Sequence, residues 1–149
     1  EECIDWDWNN DRALYGSRRF VQQLDKRFEG DLRDSVPVMV LLDMVGARDL
    51  LITRDTSSSP RLVAIVADVA EELGHGERFF QASMEVTDDH IPFLNYGIAS
   101  LDLIHFGPPP PDWWHTENDT MELLSAESLA LVGHVVVEAL PRMVRDFYR

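Results

Sequence analysis

The sequence predicts an α/β chain, a three-layer sandwich of helices packed on both sides of a sheet. Two observations carry that expectation. Residues 36–45 (VPVMVLLDMV) are almost wholly apolar, as a strand buried on both faces of a sheet must be. Stretches with apolar residues at helical spacing also alternate along the chain with short strand-like runs. The 149 residues suffice for one domain with a sizeable core, and neither a linker nor an internal repeat divides them.

Residues 3–12 (CIDWDWNNDR) are acidic, aromatic and aperiodic, which reads as a loop. A helix is expected over 15–28, with Phe20, Val21, Leu24 and Phe28 on one face. Residues 30–35 break it, and the apolar strand follows with Asp43 near its end. A short second strand is expected over 50–53. Residues 57–60 (SSSP) start a helix with hydroxyl caps and a first-turn proline. Leu62, Ile65, Val66, Val69 and Leu73 form its apolar face, and Gly74 closes it. Residues 88–97 (DDHIPFLNYG) read as a short capped helix ending at Gly97, and 98–104 as another strand. Residues 107–111 (GPPPP) can only be a stiff loop. Ser125 starts the last helix, whose expected core face is Leu129, Val132, Val136, Leu140, Met143 and Phe147, with a kink at Pro141.

Composition excludes several partners. The formal net charge of −14 repels nucleic acid and anionic membranes. Its main consequence is solubility, with a weak pull on cationic groups such as peptide α-amines. No apolar run reaches the roughly 18 residues of a membrane span. The single cysteine, Cys3, leaves no internal disulfide and lies beside Glu1 and Glu2, a poor setting for a nucleophile.

In sheets of this kind function gathers beyond the carboxyl ends of the strands. Asp43 near a strand end, Asp88 and Asp89 at a turn, and His115 in a loop after a strand all fall there. Carboxylates with one imidazole suit zinc, but no short-range spacing such as HExxH is present. Each residue also has a plain structural reading. Glu1 and Glu2 can be a solvated terminus, Asp43 and Asp88 helix caps, and His115 a partner for a backbone carbonyl. His75 follows a helix end and is expected to face solvent. His134 reads as structural, and His105 stays open.

The ordered motifs add more. They are EE at Glu1 and Glu2, LYGSRR at 14–19, LLDMVGA at 41–47, DDHIPFLNYGI at 88–98 and WHTENDT at 114–120. Together they resemble the M28 zinc peptidase superfamily, nearest its glutaminyl cyclase branch and bacterial relatives. The resemblance implies a zinc exopeptidase-like sandwich with a mixed, mostly parallel sheet. It assigns Glu1 as general acid/base, and Glu2 and His115 as zinc ligands. Asp43 would bind a second metal in a two-zinc peptidase, or join Asp88 in a hydrogen-bond network in a one-zinc cyclase. Trp114 and Met44 would line the substrate pocket, and Trp8, or Trp6 beside it, would supply a further aromatic wall. Asp102 stands where animal cyclases carry a histidine of the network.

The family takes further zinc ligands and its first strands from an upstream segment, so this chain corresponds to the C-terminal half. By itself it is expected to bind zinc poorly. The implied substrate is the free N-terminus of a peptide. A cyclase would convert N-terminal glutamine to pyroglutamate and release ammonia. An aminopeptidase would cut the first peptide bond, and an inactive or binding-only version of the fold is the third possibility. Family habit implies a secreted or periplasmic protein, and the oligomeric state is not legible.

Overall fold

A computed structural model describes residues 12–148. Among the described residues α1 (Tyr15–Arg27) comes first, followed by the short α2 (Leu32–Ser35), β1 (Val38–Asp43) and β2 (Ile52–Asp55). Helix α3 (Pro60–Glu72) leads through a 3-10 turn into β3 (Phe79–Met84). The short α4 (Ile91–Asn95), β4 (Ala99–Ile104) and the long α5 (Ala126–Phe147) complete it. The four strands among the described residues form one mixed sheet in the order β1-β4-β2-β3. The pairs β1–β4 and β2–β3 are parallel, and β2–β4 is antiparallel. This is the expected sandwich, with a sheet in which parallel pairings predominate.

Side-chain alternation along the strands divides the sheet into two unlike faces. Leu101 and Leu103 of β4, Ile52 of β2 and Phe79 of β3 pack under α3 and α5 in one apolar core. The core stripe of α3 is Leu62, Ile65, Val66 and Val69, as its spacing predicts. On the other face α1, α2 and α4 close a smaller cluster of Val21, Leu32, Phe93 and Ile98. Between them that face holds Ser100, Asp102, Asp55 and His90, all buried.

Several expectations need correction. Residues 36–45 are not a strand buried on both faces. β1 is a sheet edge among the described residues, paired only with β4, so its residues are half-buried and Leu42 is 46% exposed. Phe20 is exposed, touching only the edge of its cluster through Phe93. The buried stripe of α5 is Val132, Val135, Ala139 and Met143, which turns Leu129 and Leu140 outward. The second strand lies two residues later than expected, and β3 was not expected. No helix among the described residues is long and apolar enough to cross a membrane.

Candidate functional site

β1 and β4 run parallel and end side by side at Asp43 and Ile104. Beyond these ends the chain encloses a cavity of about 450 Å3. Asp43 and Met44 line it from the end of β1, and Ile104 and Phe106 from the end of β4. Residues 85–89, the irregular connection between β3 and α4, line it as well. Trp114 and His115 come from the loop after β4. The Trp114 ring meets Phe106 edge-on at 4.9 Å and stacks on His115 at 4.1 Å.

That loop is held locally. Thr53 Oγ1 donates to the Gly107 carbonyl and accepts from the Gly107 N–H, both at 3.0 Å. Gly107 has φ +94°, and a Cβ there would meet the Pro109 carbonyl oxygen at 1.8 Å, so only glycine fits. Three cavity residues, Leu14, Met44 and His115, hold left-handed backbone at φ 57°, 52° and 57°. Such conformations cost on the order of 1 kcal/mol or more for non-glycine residues and concentrate at functional sites.

The structure therefore brings Asp43, Asp88, His115, Trp114 and Met44 together around one cavity. Glu1, Glu2 and Trp8 lie outside the described residues. Asp88 does not cap α4, since its carboxylate instead accepts the Asp89 N–H at 2.6 Å. Burial, and then the nearby Asp43 carboxylate, push the Asp88 carboxyl up to about 7. His134 is exposed and pairs with Glu138 one turn on, away from the site. His75 is half-buried. His105 is buried, and its Nδ1 accepts the Leu51 N–H at 3.0 Å, which gives it a structural place.

Behind the cavity lies a polar cluster that the sequence did not reveal. Asp55 Oδ1 accepts the N–H groups of Ser57 at 3.2 Å and Val86 at 3.0 Å. Its Oδ2 accepts the hydroxyls of Ser57 at 2.6 Å and Ser58 at 2.8 Å, and lies 3.1 Å from His90 Nε2. Burial acts to raise the Asp55 carboxyl. The hydrogen bonds from His90, Ser57, Val86 and Ser58 outweigh it and hold the group well below the usual carboxylate range. Ser57 and Ser58 thus serve Asp55, and Ser59, at the N-cap position of α3, makes no side-chain cap. The available signal was an aspartate followed two and three residues later by serines, a spacing that favours side-chain-bonded turns.

Asp102 is the opposite case. It is fully buried, and neither of its oxygens nor His90 Nδ1, 3.8 Å away, has a hydrogen-bond partner among the described residues. Burial, then the charges of Asp88, Asp55 and Asp43, push its carboxyl up to about 8. The group is therefore mostly protonated at neutral pH.

The described residues alone do not fit a metal ion. No three His, Cys, Asp or Glu side chains among them converge closely enough to hold one. Asp43 and His115 share the cavity, but a catalytic zinc normally has three protein ligands.

Residues 6–140 match the model of peptidase family M28. The chain belongs to that family. Among curated relatives, the glutaminyl-peptide cyclotransferase of Bothrops jararaca is 32% identical over 143 residues, covering 82% of this chain and 38% of that protein. Among solved structures, the glutaminyl cyclase of an Acidobacteriales bacterium superposes with a TM-score of 0.83 at 30% identity, over 93% of this chain and 48% of that one. A leucine aminopeptidase precursor from Bacteroides thetaiotaomicron superposes with a TM-score of 0.73 at 26% identity, over 86% of this chain and 43% of that one. This M28 chain thus spans half or less of the length of these relatives.

Proposed function

We propose that the full-length protein is a zinc-dependent glutaminyl-peptide cyclotransferase. The observation that carries this reading is the cavity beyond β1 and β4, where Asp43 and Asp88 face each other beside Trp114. The cyclotransferases among the M28 relatives support the reaction type. In that reaction the α-amine nitrogen of an N-terminal glutamine bonds to its own side-chain amide carbon. The bond from that carbon to the amide nitrogen breaks, the lactam ring closes, and ammonia leaves. Glu1 takes the proton from the amine and returns it to the leaving nitrogen. Asp88, with its carboxyl near neutrality, holds a proton beside Asp43 at the same site. Trp114 excludes water, which favours cyclisation over hydrolysis. Zinc dependence belongs to the same reading, with Glu2 and His115 as two of the ligands and the rest from outside this chain.

A second reading is an M28 aminopeptidase, favoured by the family match and by the likeness to the leucine aminopeptidase precursor. In that case Glu1 activates a water molecule against the first peptide bond. Incubating the full-length protein with Gln-peptides and Leu-peptides separates the two. Ammonia without bond cleavage is the expected result, and release of a free amino acid overturns the cyclase reading. Loss of either activity on chelation tests the zinc. Neither product from metal-loaded protein would indicate a binding-only version of the fold.

A further inference from the structure

We propose that Asp55 is a positioning residue: its single carboxylate grips both ends of the segment 86–90 and so sets the place of Asp88 against Asp43. This rests on the reading above that Asp88 serves the reaction.

The segment needs an anchor. Residues 85–89 have no helix or strand hydrogen bonding of their own, yet all five line the cavity. Asp55 Oδ1 holds the Val86 N–H at 3.0 Å, two residues before Asp88. Two residues after it, His90 Nε2 lies 3.1 Å from Asp55 Oδ2 and 2.8 Å from Ser57 Oγ, the hydroxyl that Asp55 Oδ2 itself accepts. The post itself is fixed. Asp55 ends β2, is 1% exposed, and accepts the Ser57 and Ser58 hydroxyls. Ser58 Oγ accepts the Asp102 N–H at 2.9 Å, which ties the cluster to the strand next to β1.

Neither Asp55 nor His90 lines the cavity, so neither touches a substrate there. A buried polar pair is also weak support for stability, because desolvation offsets most of its attraction. The geometry instead gives the pair a local task. One carboxylate fixes a loop at two points, and the residue midway between them is the acid facing Asp43. A displacement of about 1 Å in a positioned group can cost on the order of 10²-fold in rate.

The test uses the full-length protein with Asp55→Ala, Asp55→Asn, Asp88→Asn and the Asp55→Ala/Asp88→Asn double variant. Steady-state kinetics on the peptide that the wild type turns over is read beside amide hydrogen exchange. Asp55→Ala should lower kcat by about 10²-fold with little change in KM. Exchange should quicken across 85–91 while α3 and α5 keep their protection. Asp55→Asn retains an oxygen for the Val86 N–H and should recover most of the loss. In the Asp88→Asn background, Asp55→Ala should cost less than about twofold more, since both act through one group. Multiplying losses, an unchanged kcat, or faster exchange across the whole sheet would each overturn the proposal. If the wild type turns over neither peptide, the functional reading fails on its own. The clamp is then decided by exchange: a change confined to 85–91 upholds it, and an absent or global change refutes it.

Discussion

The two faces of the sheet are built from the same four strands and could hardly differ more. Under α3 and α5, β4 presents Ala99, Leu101 and Leu103 to a core of aliphatic side chains. On the other side the same strand presents Ser100 and Asp102, buried with Asp55 and His90. One face removes apolar area from water, the dominant driving force for folding. The other removes carboxylates from water, which costs stability unless donors compensate. Asp55 is compensated and Asp102 is not. A fold that tolerates such a face must be held by the first one, and the chemistry proposed above draws on the other.

The largest expected effect breaks the apolar side. Leu101 is fully buried in the main core. Leu101→Ala should destabilise the full-length protein by about 2–5 kcal/mol in denaturant unfolding. The kcat of the molecules that remain folded should hold. On the polar side the pattern should reverse. Asp88→Asn should lower turnover on the order of 10²-fold, the usual range for loss of a proton-handling group. Its stability should stay level or rise, because the variant removes a carboxyl that burial and Asp43 already disfavour as an anion. A stability loss at Asp88 comparable to that at Leu101 would dissolve the division between the faces.

The same asymmetry explains what the sequence could show. The apolar face repeats at regular spacing in α3, so its stripe is legible residue by residue. The expected α5 stripe took in Leu129 and Leu140, which are exposed, and left out Val135 and Ala139, which are buried, because apolar residues such as Val137 and Val144 also stand on its outer side. β3 escaped notice because FFQASM is a sheet edge with three exposed residues and no clear alternation. Around the cavity beyond the strand ends, Asp43, Asp88, Trp114 and His115 were singled out by ordered motifs. Asp55 and His90 were not, because their partnership spans thirty-five positions and depends on two chain segments meeting. The acidic motif did place Asp88, but it was silent on what holds it there.

A smaller and pH-dependent effect should come from Asp102. Its carboxyl is raised from 3.8 to about 8 in the fold. A group raised on folding lends full stability below its unfolded value and loses it as pH climbs through the folded one. The wild type should therefore weaken steadily between about pH 4 and pH 8. Asn fills the same space and does not titrate. Asp102→Asn should match the wild type near pH 4 and become more stable by about 2 kcal/mol near pH 8, well within the ceiling of about 1.4 kcal/mol that one titrating group can contribute for each step of one in pH. Parallel stability curves for the two proteins across that range would mean that Asp102 is partnered in solution. Asp55 has the opposite sign: its depressed carboxyl contributes stability above the unfolded value of 3.8, lost as pH falls further. The two effects meet near pH 4 and do not mask each other above it.

The smallest effect distinguishes serines by the face they serve. Ser125 caps α5, its hydroxyl accepting the Ser128 N–H at 3.4 Å. Ser57 and Ser58 precede α3 but point their hydroxyls at Asp55. Ser125→Ala should cost about 1 kcal/mol of stability, the usual value for a lost cap, and leave kcat unchanged. Ser58→Ala removes a donor from Asp55 and the acceptor of the Asp102 N–H together, so it should lower kcat even where its stability cost is similar. Equal stability costs with unequal kcat would show that a hydroxyl next to a helix start takes its role from the face of the sheet behind it. Equal kcat values would confine the functional face to the cavity lining itself.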